Sequence, residues 1–113
     1  MLLTDIERAR HILIECEFLS EYAHKSSFQL FVSDEFAKRA ISRSLEIIGE
    51  ASKRLSVEFK EMCPEINWRK IAGTRDKLIH NYEGVDFELI WNILVNEIPK
   101  LIVSLRKIDE LHL

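Results

Sequence analysis

Residues 86–108 read DFELIWNILVNEIPKLIVSLRKI, and this stretch carries the clearest periodicity of the chain. Its apolar residues recur at steps of three and four, the spacing that places side chains on one face of an α-helix. They are Phe87, Ile90, Trp91, Leu94, Ile98, Leu101, Ile102, Leu105 and Ile108. Asp86 is suited to cap this helix, and Pro99 predicts a kink or a restart between Asn96 and Ile98.

Three further amphipathic stretches precede it. The first is predicted from about Asp5 to about His24. The second follows Ser33, its predicted cap, with apolar residues at Ala37, Ala40, Ile41, Leu45, Ile48, Ala51 and Leu55. The third follows the predicted cap Asn67 and ends by Gly84, with one stripe formed by Trp68, Ile71, Ala72, Arg75, Ile79 and, if the helix extends that far, Tyr82. Between them lie an apolar connector of undecided conformation at residues 28–32 and a turn at residues 63–65.

No strand pattern and no internal repeat interrupts this helical series. Amphipathic helices joined by short links pack as an antiparallel bundle. The sequence therefore predicts an all-α fold, an antiparallel four-helix bundle with up to five helices. A chain of 113 residues has about the usual size of one domain, so we expect a single domain over residues 1–113.

The net charge of the chain limits the classes of partner that it can bind. The net charge is −3, whereas proteins that bind nucleic acid through bulk electrostatics are usually basic. This counts against a DNA-binding module and leaves room for an enzyme that contacts RNA through a local basic patch. Cys16 and Cys63 have no metal-ligand spacing, the first residues lack a signal-peptide pattern, and no run is apolar enough to span a membrane. We expect a soluble, cytoplasmic protein without a membrane partner.

The apolar content also bears on assembly. Two tryptophans and six phenylalanines must be placed in a bundle with a limited interior. Either the core is unusually full, or part of the apolar surface meets a second copy. We expect a homodimer, because two-fold dimers are the commonest assembly.

Residues 73–82, GTRDKLIHNY, hold the candidate chemistry. Arg75 lies on the apolar stripe of the third helix, where it could simply snorkel or pair with a glutamate of the second helix. His80 could interact with the helix dipole, and Tyr82 could be a core aromatic. Asp76 and His80 align on one face, whereas Arg75 and His80 lie roughly 140° apart around an ideal helix. A site that uses both needs the helix to end near His80, or needs two protomers. Gly73 is the expected point of close backbone approach.

The pattern Arg75-x4-His80-x-Tyr82 resembles the signature of HEPN ribonucleases in its HepT-type form. The flanking segments LEIIGEA at 45–51, NWRKIAG at 67–73 and residues 85–91 agree with that family. The resemblance implies a metal-independent RNA endonuclease that needs no cofactor and cleaves through attack of a ribose 2′-hydroxyl on the adjacent phosphate. His80 would be the general base or acid and Arg75 the phosphate clamp, which suits their chemistry.

The resemblance assigns further roles. Asp76 would orient His80, and Tyr82 would position the substrate. HepT-like proteins act as toxins, and their antitoxin, a minimal nucleotidyltransferase, adds AMP to the tyrosine that corresponds to Tyr82. Lys77 and Asn81 are candidates for additional phosphate contacts.

Three alternatives stay open. Glu46 and Glu50 could hold Arg75, but a solvated face with pairs such as Glu50–Arg54 is the favoured interpretation. The chain could instead be a non-catalytic nucleotide-binding or adaptor partner of a nucleotidyltransferase, which the acidic charge mildly favours. A bundle that only mediates assembly is the third interpretation.

Overall fold

Helices make up nearly all of residues 3–80 and 84–108, the part of the chain that the computed structural model describes; at Leu3, Ile79 and His80 it describes the backbone alone. The helices are α1 (Leu3–Lys25), α2 (Phe28–Ser33), α3 (Glu35–Arg54), α4 (Val57–Glu61), α5 (Trp68–His80), α6 (Phe87–Asn92), a π-helical segment (Ile93–Glu97) and α7 (Ile98–Arg106). No described residue lies in a strand. The all-α prediction is confirmed, with α1, α3, α5 and the run from α6 to α7 as the four long helices.

Two short helices were not expected. The supposed connector at residues 28–32 is the helix α2, whose first turn is capped by Ser27 accepting from the Leu30 N–H at 3.2 Å. Helix α4 is capped in the same way by Ser56, which accepts from the Phe59 N–H. Each places one fully buried phenylalanine, Phe31 or Phe59, in the core. A single helical turn is too short for a periodic pattern, which explains why both were missed.

Of the caps predicted for the second, third and fourth long helices, two are confirmed. Asn67 accepts from the Lys70 N–H at 3.0 Å, and Asp86 accepts from the Leu89 N–H at 3.1 Å. The prediction for Ser33 is wrong, because this residue ends α2 and its hydroxyl donates to the Gln29 carbonyl. Asp34 caps α3 instead, accepting from the Ala37 N–H at 3.1 Å.

The restart expected near Pro99 is confirmed. The backbone passes from α6 through the π-helical segment and resumes as α7 at Ile98. Proline lacks an N–H and its ring clashes with the carbonyl four residues earlier, so a widened turn before it relieves both problems.

The long helices pack antiparallel. Along α1 and α3, Asp5 lies beside Ser56 while Glu15 lies beside Ser44. Asp5 is only 2% exposed, and it accepts from both the hydroxyl and the N–H of Ser56 at 2.6 and 3.0 Å. This carboxylate therefore joins the first turn of α1 to the first turn of α4.

The aromatic residues divide between the core and the surface. Trp91 stacks on Phe31 with ring centroids 5.7 Å apart, and the Trp68 indole N–H donates to the Lys60 carbonyl. Phe36, by contrast, is 88% exposed, and Phe18 is about half exposed. Both cysteines are buried and free, and none of the described helices combines the length and apolarity needed to cross a bilayer.

Candidate active site

Arg75 lies on α5 at a point where this helix packs closely against Gly49 of α3. Its side chain is 32% exposed, so it is neither a core residue nor a freely solvated one. Its Nε lies 2.9 Å from Oε2 of Glu50, and its Nη1 donates to Oδ1 of Asp76 at 3.4 Å. The guanidinium is thus oriented by two carboxylates, one from each helix.

The contacts of Glu50 settle the question of its two predicted partners, Arg75 and Arg54. One carboxylate oxygen pairs with Arg75, and the other lies 3.1 Å from Nη2 of Arg54. The favoured Glu50–Arg54 pair and the contact between Glu50 and Arg75 therefore exist together. Glu46 pairs with Arg43 at 3.4 Å rather than with Arg75.

Asp76 has a partner that the sequence interpretation missed. Lys53 donates to Oδ1 of Asp76 at 2.9 Å across the α3–α5 interface. This hydrogen bond, together with the nearby charges of Lys53 and Arg75, lowers the pKa of Asp76 despite partial desolvation. Lys53 follows Glu50 by three residues, so the helical spacing of the charged face was the available signal.

The close approach of α3 and α5 depends on Gly49. A Cβ atom at this position would lie 2.7 Å from Cβ of Arg75 and 3.4 Å from the carbonyl oxygen of Ile71. The prediction that Gly73 serves this purpose is wrong for the described chain, because outside the backbone of its own helix no described heavy atom lies within 4 Å of a Cβ built there. The missing side chain at Gly49 lets the backbone of α3 lie directly against the base of the arginine.

Arg75 lines a groove of about 380 Å³, which we name the Arg75 groove. Helix α1 contributes Arg8 and His11, and α3 contributes Arg43, Ile47 and Arg54. The groove also contains Glu46 and Glu50, so four arginines face two carboxylates. Its local charge is therefore positive although the chain as a whole is acidic.

The remaining predicted site residues are only partly covered. His80 ends α5, and its side chain lies outside what the structure describes, as do Asn81 and Tyr82. Lys77 is exposed and lines a separate cavity of about 140 Å³ between α5 and α6, not the Arg75 groove. Within the described side chains, no three residues of the kinds His, Cys, Asp or Glu form a group that could hold a metal ion.

Chemically, the described part of the site is suited to binding anions. A guanidinium that contacts two carboxylates has a fixed orientation, and its remaining N–H groups can donate to a phosphate. The backbone of His80 lies five residues beyond Arg75 on the same helix.

Comparison with known proteins gives the family. Residues 12–108 match the family model described as "Ribonuclease HepT-like". A protein of Caldanaerobacter subterraneus named as a putative RNase is 51% identical over 98 residues, which cover 87% of this chain and 88% of the relative. A protein of Thermococcus cleftensis named as a probable ribonuclease HepT is 45% identical over 85 residues, covering 75% and 77%. No solved structure matches the chain. The match over nearly the whole chain, with the arginine motif inside it, identifies the chain as a member of the HepT-like ribonuclease family.

Proposed function

We propose that the chain is a cytoplasmic, metal-independent RNA endonuclease and the toxin of a toxin–antitoxin pair. The observation that carries the proposal is the guanidinium of Arg75, oriented by Glu50 and Asp76 at the edge of a positively charged groove. A ribonuclease without a metal needs such a preorganised cation where charge develops on the phosphate.

In this mechanism the ribose 2′-oxygen attacks the adjacent phosphorus and loses its proton to a base. The bond from phosphorus to the 5′-oxygen breaks, and that oxygen takes up a proton as it leaves. His80 serves as base or acid because a histidine titrates near neutral pH, a role typically worth about 10²–10⁴-fold in rate. Arg75 stabilises the added negative charge on the five-coordinate phosphate, and Tyr82 positions the substrate.

The test is cleavage of total RNA by the purified chain in the presence of EDTA. We expect cleavage by the wild type, and a loss of at least 100-fold in both Arg75→Ala and His80→Ala with helicity unchanged by circular dichroism. Loss of wild-type activity in EDTA, or full activity in both variants, would contradict the mechanism. A chain that cleaves nothing but is still modified by a nucleotidyltransferase would instead be the non-catalytic adaptor.

We propose that modification of Tyr82 controls this activity. A minimal nucleotidyltransferase antitoxin transfers AMP from ATP to the tyrosine oxygen, releasing pyrophosphate. The new phosphodiester carries a negative charge, and Tyr82 lies only seven residues from Arg75 along the chain. It would compete with RNA for the guanidinium. Tyr82→Phe should escape modification, as checked by mass spectrometry after co-expression; AMP mapped to another residue would refute this control.

A further inference from the structure

Two grooves meet on the exposed side of α3. The first is the Arg75 groove, between α1, α3 and α5. The second, the Phe87 groove, has a volume of about 420 Å³ and is walled by Leu78, Val85 and Phe87. Arg43 and Glu46 line both grooves, so the two are neighbours along one helix.

The arginines of the Arg75 groove keep free donor groups. Arg8 donates from Nη1 to the backbone carbonyl of Arg54 at 3.1 Å, and no carboxylate among the described residues lies within ion-pair distance of it. Arg43 is 72% exposed and meets Glu46 at 3.4 Å, a long contact that one guanidinium nitrogen makes. An exposed pair of this kind contributes little and exchanges readily for a better acceptor.

The arrangement of these charges favours a phosphate backbone as the occupant. Arg8 and Arg43 flank the position of Arg75 from α1 and from α3, so cations line the groove on more than one side. The core of a protein–protein interface is depleted in charged residues, which argues against a second copy filling the groove itself and leaves room for one beside it. A cationic groove that follows the backbone is the usual device for binding single-stranded nucleic acid.

We propose that the Arg75 groove is the track for single-stranded RNA, with Arg8 and Arg43 contacting phosphates next to the one held by Arg75. This inference rests on the proposed function. The RNA strand continues into the Phe87 groove, where Lys38, which pairs with Glu35 at 3.0 Å, lies 5.0 Å from the centre of the Phe87 ring. Arg8 and Arg43 are binding residues in this scheme, not catalytic ones.

The test measures binding without cleavage. The probe is a fluorescent single-stranded RNA oligonucleotide with 2′-O-methyl groups throughout, which lacks the attacking hydroxyl. Arg8→Gln and Arg43→Gln are each expected to weaken binding roughly tenfold, as for the loss of one charge-assisted hydrogen bond. Each should also reduce the slope of log affinity against log salt by about 0.7, the value for one phosphate contact on a single strand.

Arg106→Gln is the matched control. Arg106 is an exposed arginine, like Arg43, that pairs with Glu17 at 2.7 Å and lines neither groove. The control should bind as the wild type does. Equal losses in all three variants would indicate a bulk charge effect and overturn the track, as would the absence of binding by the wild type.

The outcomes separate the track from the proposed function. Cleavage of ordinary RNA with unchanged binding in Arg8→Gln and Arg43→Gln would overturn the track and leave the ribonuclease standing. Binding that depends on both arginines, without any cleavage of ordinary RNA, would support the track and refute the ribonuclease. A changed oligomeric state with unchanged RNA affinity would make this face an interface between copies and overturn the track.

Discussion

The direction of the Arg75 side chain depends on Glu50. The carboxylate lies on the neighbouring helix and contacts Nε, and both Glu50 and Arg75 line the groove. Glu50 also holds Arg54, so the two arginines share one anchor. In a partly exposed site, such a pair contributes more to orientation than to stability.

We therefore predict that Glu50→Gln lowers RNA cleavage about tenfold, the effect of losing one hydrogen bond to a charged group. The free energy of unfolding should change by less than about 1 kcal/mol, because the pair is partly solvated. Cleavage rates and urea unfolding measure the two effects. Glu17→Gln, which removes the partner of Arg106 away from the groove, serves as the control. Equal activity of Glu50→Gln and the control would contradict a positioning role.

At the level of the helices, the site depends on how closely α3 and α5 approach. Gly49 lies at the point of contact, and a methyl group there would meet Cβ of Arg75 at 2.7 Å. Both positions belong to helical backbone that cannot swing aside as the end of a long side chain can. The helices would have to separate to accept a side chain.

Gly49→Ala should therefore destabilise the fold by about 1–3 kcal/mol, the usual cost of overpacking, and should displace Arg75 enough to reduce cleavage. The matched substitution is Gly73→Ala on α5, where the described structure offers open space. Alanine favours a helix over glycine, so this variant should gain up to about 1 kcal/mol. Thermal unfolding of both variants is the measurement, and a stabilised Gly49→Ala would show that the helices do not pack as described.

Helices α1 and α4 are joined by Asp5, and this contact depends on pH. The hydroxyl of Ser56 donates to the buried carboxylate and lowers the pKa of Asp5, and the Ser56 N–H adds to the effect against the cost of burial. A carboxyl with a lowered pKa in the folded state stabilises the fold above its unfolded pKa, about 3.9. This stability is lost as the pH falls from there through the folded pKa.

We predict that the wild type loses unfolding free energy below about pH 4 through Asp5, while Asp5→Asn lacks that part of the decrease. At neutral pH the variant should be less stable by about 1–3 kcal/mol, because the ionised acceptor is gone. Urea unfolding at pH 6 and pH 3 tests both statements. If the difference between the two proteins were the same at both pH values, Asp5 would not be the titrating group.

For the whole molecule, exposed apolar side chains favour the proposed homodimer. Phe36, Ile14 and Phe18 are each about half exposed or more, which makes them candidates for burial at an interface between two copies. Arg75 and His80 lie five residues apart on α5, a spacing that places the two positions roughly 140° apart around an ideal helix. A site that combines these two residues from different protomers would remove the mismatch.

Light scattering should therefore give about twice the chain mass of 13.3 kDa at micromolar concentration. Mixing Arg75→Ala with His80→Ala tests the composite site directly. If each site takes its arginine and its histidine from different protomers, random exchange should restore about a quarter of the wild-type cleavage. No recovery after verified subunit exchange would indicate that both residues of a site come from one protomer.

Much of this molecule was predictable from local sequence rules. The four long helices, the caps Asn67 and Asp86 and the restart before Pro99 follow from apolar spacing and from backbone chemistry within a few residues. The position of Arg75 on an otherwise apolar stripe also follows from spacing, and the motif around it identified the family. These features depend on neighbours along the chain, which the sequence contains.

The tertiary structure decided which residues of one helix lie opposite which residues of the next. It selected Gly49 rather than Gly73 as the point of close approach, joined Lys53 to Asp76, and let Glu50 hold Arg54 and Arg75 together. Each of these contacts depends on the axial position and rotation of one helix against another. That alignment results from the packing of the whole core, and no local pattern in either helix contains it.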